Sequence, residues 1–263
     1  MHLKKYILSA LFLLTSTIIF SQQEVYLDEH MNEISEQAFK EKCNNIMFKC
    51  LTYSSEGLII QKILYRYKFG EISETHFQQI KKVLIRDSNK AIPEGSTIII
   101  KYTDNVNTLG LTPKEKLFKG STTSNSLHRP RRVKKQIKHL EVSAKKCKQQ
   151  LEADYPVAFY SMYQPNPPNI EPLFNSDVWL KDSGLFKNLF FKIAQDNCAL
   201  ILKPDGEFML LGSHLSDNQI DQILKQSDWS TFKNDWKNSL IHGKKALGVF
   251  KTQFTPNTLT HCF

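Results

Sequence analysis

The sequence contains little glycine, proline or cysteine for its length, and these shortages exclude several classes of protein. Among 263 residues there are 10 Gly, 10 Pro and 5 Cys. That is too little glycine and proline for a fibrous or low-complexity chain, and too little cysteine for a disulfide scaffold. The 17 Phe and 9 Tyr argue against intrinsic disorder. The composition therefore indicates an ordinary globular protein, long enough for one full core or two small ones.

Long uncharged apolar runs are also missing, except at the N-terminus. Lys4 and Lys5 precede a stretch, 6–20, that is apolar apart from a few hydroxyl groups and has no charged side chain. A short basic start, an apolar run and Ser21 at a plausible cleavage point are typical of a secretory signal peptide. We predict that 1–21 is this signal of an exported bacterial protein, periplasmic or extracellular; an uncleaved anchor is the alternative. No later stretch reaches the ~18 apolar residues of a membrane-spanning helix, so no transmembrane segment is predicted after signal removal.

The cysteines are odd in number, which leaves at least one outside any disulfide within the chain. Cys43 and Cys50 are the nearest pair and could bridge neighbouring strands, and no C-x-x-C occurs. Cys43, Cys50 and Cys198 are the candidate redox residues. Cys147 and Cys198 could also meet, although two buried, small apolar side chains are the simpler interpretation.

The positive charge is concentrated in one segment. The whole chain has 35 Lys and Arg against 26 Asp and Glu. The window 114–148 alone contains twelve Lys and Arg but only two acids, Glu115 and Glu141. The protein is therefore not generally basic, and a single loop and helix account for its surplus.

The second half of this basic segment predicts an amphipathic helix. Its apolar residues recur at steps of three and four, which places them on one side of a helix of about twenty residues; they are Val133, Ile137, Leu140, Ala144, Cys147 and Leu151. The simpler interpretation is a helix that packs on a sheet and keeps its charges in solvent. The alternative is contact with an anionic surface, such as membrane headgroups, envelope polysaccharide or nucleic acid.

Nucleic acid is disfavoured because the loop offers only Phe118 for base stacking and matches no recognition motif. The candidate contact residues for an anionic partner stand where the loop meets the helix; they are Arg129, Arg131, Arg132, Lys134 and Lys135.

The pattern of the rest of the chain predicts two units and a tail. The first, 22–95, is a small α+β domain with strands at 24–27, 46–53 and 58–69 and a helix to about 86 that Ser73 caps. The second, 96–243, has strands at 97–102, 157–163, 198–202 and 208–211, and helices over 131–152, 183–194, 216–224 and 229–240. It also contains the basic insert 105–132, and the tail 244–263 is predicted to be peripheral.

The second unit resembles the thioredoxin-like fold, an α/β class with the order β-α-β-α-β-β-α. Pro204-Asp205-Gly206 between two apolar runs predicts an antiparallel hairpin, and the stretch 197–224 is similar to the hairpin and helix of secreted thiol–disulfide oxidoreductases. The resemblance implies two cysteines at the start of the first helix and a cis-proline before the hairpin. This chain has His128-Arg129-Pro130-Arg131 and Asn197 there, so the dithiol mechanism is not expected.

Motifs of other enzyme classes are missing as well. There is no His-Glu-x-x-His, Gly-x-Ser-x-Gly, phosphate-binding loop or dinucleotide fingerprint, so no metal, cofactor or catalytic site is predicted. We therefore predict a non-catalytic binding or scaffold module whose basic insert contacts an anionic envelope surface or a protein partner. The alternative is a thiol-active redox enzyme that uses Cys198 or a Cys43–Cys50 pair.

Overall fold

The fold is known from a computed structural model that describes residues 23–55, 58–103, 130–164, 177–191, 198–212, 215, 217–244 and 262. The strands are β1 Gln23–Leu27, β2 Phe48–Ser55, β3 Leu58–Tyr65, β4 Tyr67–Glu71, β5 Thr97–Thr103, β6 Val157–Tyr163, β7 Trp179–Lys181, β8 Cys198–Leu202 and β9 Glu207–Leu211. The helices are α1 Glu36–Cys43, α2 Glu74–Ser88, α3 Pro130–Asp154, the π-helix Lys187–Phe191, α4 Asp217–Lys225 and α5 Ser230–His242.

These strands form two sheets. The smaller has the order β1-β3-β2, with β1 parallel and β2 antiparallel to β3. Helix α1 begins at Ser35, whose hydroxyl accepts a hydrogen bond from the Ala38 N–H, and it buries Phe39 against Phe48 and Ile63 of the sheet. Helix α1 and the smaller sheet thus share a small apolar core.

The larger sheet has the order β4-β9-β8-β5-β6-β7. Strands β5 and β6 are parallel, because α3 crosses over between them, whereas β8 is antiparallel to both β5 and β9. The predicted hairpin is confirmed, and its turn requires Gly206, which has φ +90°. A Cβ at this position would lie 2.3 Å from the Ile72 carbonyl oxygen.

Helices cover both faces of the larger sheet. Alternate residues of β5 point to opposite faces, so that Ile98 and Ile100 belong to one apolar cluster and Ile99 to another. On the first face lie side chains of α2 and the π-helix region, namely Phe77, Ile80, Leu84, Phe186 and Phe191. On the second lie side chains of α3, α4 and the start of α5, namely Cys147, Leu151, Ile220, Ile223, Trp229 and Phe232. The architecture is mixed α/β.

The single strand predicted over 58–69 is two strands in different sheets. At Arg66 the backbone leaves the smaller sheet: its N–H donates to the Met47 carbonyl at 2.8 Å, and its carbonyl accepts from the Gly212 N–H at 2.8 Å. Apolar residues continue to alternate through the crossing, so the pattern contains no sign of it. Because β4 then pairs with β9, residues from both predicted units share the larger sheet.

The helix predicted over 183–194 is also wrong in part, because the described residues form a π-helix there. Its predicted inward residue Leu189 is 50% exposed, while Phe190 and Phe191 are buried. A π-helix has more residues per turn than an α-helix, which rotates the buried side to consecutive aromatic residues. The buried Asp182 caps this region by accepting hydrogen bonds from the N–H groups of the residues that follow it.

The tail is not peripheral at Cys262. This residue is 3% exposed, belongs to the core cluster on the α3 side of the sheet and forms a disulfide with Cys147. Residues 245–261 lie outside the described part of the chain. The covalent bond therefore connects the last residues of the sequence to the basic helix.

None of the helices within the described residues is both long enough and apolar enough to cross a membrane.

Candidate anion-binding surface on helix α3

Helix α3 is amphipathic, as its sequence predicts. The apolar stripe is buried at Ile137, Ala144, Cys147 and Leu151, and half-buried at Leu140. Leu140, Ala144, Cys147 and Leu151 pack on β6 and its neighbours, which holds the opposite side of the helix in solvent. The sheet thus decides which side of α3 a partner can reach.

The outward side of α3 carries three exposed lysines. Lys135, Lys138 and Lys146 are exposed, and Val142, at the centre of the same surface, is 61% exposed. Steps of three and four residues place all four on one helix face. Among the ion pairs of the described residues, none involves these three lysines. We call these four residues the outer surface of α3.

Other lysines of α3 differ because glutamates on the same helix neutralise them. Lys145 lies 3.0 Å from Glu141, and Lys148 lies 2.7 Å from Glu152. These pairs sit beside the outer surface, on the flank that faces β7. Net positive charge is consequently concentrated on the outer surface.

The structure describes one of the five predicted contact residues completely. Lys135 is exposed on the outer surface. Arg131, Arg132 and Lys134 belong to the first turns of α3, but their side chains lie outside the described residues, as do Arg129 and most of the basic insert. Lys138 and Lys146 were missing from the predicted set, although their helical spacing from Lys135 could have identified them.

Four of the five cysteines form disulfides. Cys43 and Cys50 are bonded, and the bridge joins the end of α1 to β2 rather than two strands. Cys147 is bonded to Cys262, so the suggested meeting of Cys147 with Cys198 is wrong. Cys198, the remaining cysteine, begins β8 opposite Tyr102 of β5. Within the described residues, no cluster of three or more His, Cys, Asp or Glu could hold a metal ion.

A second charged cluster stabilises the hairpin of β8 and β9. The nearly buried Lys203 lies 2.7 Å from Glu207 and 2.8 Å from Asp205, and Lys233 of α5 also pairs with Glu207. Burial alone would raise the pKa of Glu207, but hydrogen bonds from both lysines outweigh it and lower that pKa. The cluster is a structural contact between the hairpin and α5.

This cluster predicts a loss of stability in acid. A carboxyl group whose pKa is lower in the folded chain stabilises the fold above its unfolded pKa, and this stabilisation disappears as the pH falls through the folded value. We expect the free energy of unfolding to decrease below the ordinary Glu pKa of 4.5, and Glu207→Gln to remove part of that decrease. Urea titrations of both proteins at several pH values measure this decrease. The control is Glu33→Gln, at an exposed glutamate. If the free energy of unfolding of this variant depends on pH as weakly as that of Glu207→Gln, the effect comes from the net charge of the protein and not from the cluster.

Together, the fold and the surface define a class: a mixed α/β protein with two sheets whose basic helix presents exposed lysines to solvent. Comparison of the chain with protein-family models, curated proteins and solved structures finds no match in any of the three.

Proposed function

We propose that this protein is an exported binding module with a thioredoxin-like domain that lacks the dithiol, and that α3 with its preceding insert contacts an anionic envelope partner. The observation that carries the proposal is the outer surface of α3. Its lysines are exposed, are not paired with carboxylates of the described residues, and surround one exposed apolar side chain. Lysines arranged in this way attract an anionic surface at long range and contact it at short range.

The strand pairing supports the thioredoxin-like part of the proposal. From Thr97 onward, a parallel pair joined by a helix is followed by an antiparallel hairpin and then by α4. The position where the redox family has its cysteines is occupied in this sequence by arginines at the start of α3. A binding role at that position agrees with the missing dithiol.

The test is a charge reversal of the outer surface, Lys135→Glu with Lys138→Glu and Lys146→Glu. Each basic residue near an anionic lipid surface contributes about 1 kcal/mol to the free energy of binding. The triple variant should therefore bind vesicles containing phosphatidylglycerol at least about 100-fold more weakly than the unmodified protein. Sedimentation of the protein with these vesicles, and with neutral vesicles as the blank, measures the change. An acidic polysaccharide, alginate, serves as the second probe and distinguishes an envelope polymer from a membrane surface.

The matched control reverses three exposed lysines elsewhere, Lys82, Lys237 and Lys244, and changes the net charge by the same amount. We expect this control to bind nearly as well as the unmodified protein. If both triple variants lose the same affinity, or if the unmodified protein binds neither probe, the role of α3 is refuted.

The half-buried Cys43–Cys50 disulfide favours one alternative, a thiol-active enzyme. In that case the thiolate of a small dithiol would attack one sulfur of the bridge and release the other, and the mixed disulfide would resolve to reduced protein and oxidised reagent. Under the binding proposal, insulin is not reduced catalytically in the presence of dithiothreitol. Insulin reduction that is faster than with dithiothreitol alone, and that returns to that rate when both Cys43 and Cys50 are changed to alanine, would establish the enzyme instead.

A further inference from the structure

Strand β6 has a sequence that favours pairing with a foreign strand. It has seven residues and contains no charged side chain, proline or glycine. Segments of this length and composition pair readily with other strands when one of their edges is open. Among the described residues, β7 pairs with the outer edge of β6 only over Ser161–Tyr163, and no strand covers that edge over 157–160. A cavity of about 380 Å³ opens there, between Phe159 and side chains of α3.

Phe159 lies in this open stretch and directs both of its peptide groups to the outer edge. Alternate residues of a parallel strand bond to the same neighbouring strand. The Pro156 carbonyl accepts from the Thr97 N–H on the β5 side, whereas the Tyr163 carbonyl accepts from the Asp182 N–H, which directly follows β7. Even-numbered residues of this stretch therefore face β5, and odd-numbered residues face the outer edge.

Two side chains of α3 bind the peptide groups of Phe159. Its N–H donates to the Glu152 carboxylate at 3.0 Å, and its carbonyl accepts from the Lys148 ammonium at 3.0 Å. Lys148 and Glu152 also form an ion pair at 2.7 Å, since one helix turn separates them. The pair thus supplies one acceptor and one donor to the edge, as a neighbouring strand would.

Strand β4, at the other end of the larger sheet, has a similar contact. The indole N–H of Trp236, on α5, donates to the carbonyl of Tyr67 in β4 at 2.8 Å. Side chains of helices therefore bind peptide groups of strands near both ends of this sheet. Natural sheets commonly prevent pairing with other chains by protecting their edges.

We propose that the Lys148–Glu152 pair closes the outer edge of β6 and thereby prevents a second copy of this chain from pairing there. A second copy offers the same uncharged strand, and a two-fold axis would place the open stretch of each copy against that of the other. In that arrangement the peptide groups of Phe159 would bind the other copy instead of α3. The proposal is independent of the outer surface of α3, to which neither residue of the pair belongs.

The test opens the edge with Lys148→Met and Glu152→Leu, which keep the approximate length of the side chains and their helix propensity. We expect sedimentation velocity over micromolar concentrations to show an association constant at least about tenfold higher than that of the unmodified protein, because the freed peptide groups gain partners only in the dimer. The matched control is Lys145→Met with Glu141→Leu. It removes the neighbouring ion pair of the same helix, at 3.0 Å, and adds the same apolar side chains.

A second measurement uses the single variants and does not depend on association. At a concentration where Glu152→Leu is monomeric, we expect hydrogen exchange of the Phe159 N–H to be at least about tenfold faster than in the unmodified protein. Glu141→Leu should leave this rate unchanged. Three results would overturn the proposal: no increase in association of the double variant, an equal increase in its matched control, or an unchanged exchange rate at Phe159 in Glu152→Leu.

Discussion

Replacing both Cys147 and Cys262 with alanine is expected to lower the free energy of unfolding by about 5 kcal/mol, by the chain-entropy relation for a loop of this length. The bridge closes a sequence separation of 115 residues, and so it restricts the unfolded chain strongly. Both cysteines also lie in the core on the α3 side of the larger sheet, where Trp229 and Ile223 pack. Urea unfolding without reductant, followed by tryptophan fluorescence, measures the loss.

The matched control is the other disulfide. Cys43 and Cys50 are separated by 7 residues, and the same relation predicts a loss of about 2.5 kcal/mol when both are changed to alanine. The difference between the two double variants isolates the effect of loop length. Equal losses would contradict this explanation and would assign the stabilisation to local packing.

Asp182→Ala is expected to cost about 4 kcal/mol, because the Asp182 carboxylate is buried and accepts four hydrogen bonds. The Tyr102 hydroxyl donates to it at 2.8 Å, and the N–H groups of Gly184, Phe186 and Lys187 donate at 3.0, 3.2 and 2.9 Å. Alanine leaves all four donors without this acceptor; those of Tyr102 and Phe186 are buried, and those of Gly184 and Lys187 are part-buried. Thermal and urea unfolding measure the cost.

Tyr102→Phe provides the comparison for Asp182. It removes one of the four donors and leaves the carboxylate with its backbone partners, so we expect a loss of about 1–2 kcal/mol. If Asp182→Ala costs no more than Tyr102→Phe, the hydrogen bonds to the π-helix region do not stabilise the fold as argued.

Several elements were predictable because their signals are local. Ser73 caps α2 by accepting from the His76 N–H, and the helix buries Phe77, Ile80 and Leu84, as the spacing predicts. The hairpin around Gly206 follows from its turn residues, and the apolar stripe of α3 follows from steps of three and four. In each case the residues that determine the element are neighbours in the chain.

Other elements depend on partners far away in the sequence. The three-residue β7 exists because β6 offers it an edge, and the chain changes sheets at Arg66 because Met47 and Gly212 bind its peptide groups. The partner of Cys147 was equally unpredictable, since five cysteines allow many pairings and spacing does not choose among them. The π-helix that stands in place of the expected α-helix begins where the Lys187 N–H donates to Asp182, a contact with a residue that precedes the helix.

The surplus of positive charge was also predictable only in part. The sequence by itself determined that the basic residues are concentrated in 114–148 and that the second half of this segment forms an amphipathic helix. Only the tertiary structure decided which lysines are available to a partner. Burial of the apolar stripe on the sheet turns Lys135, Lys138 and Lys146 to solvent, while Glu141 and Glu152 neutralise Lys145 and Lys148 on the flank. The open edge of β6, another product of long-range pairing, then places a cavity beside that flank.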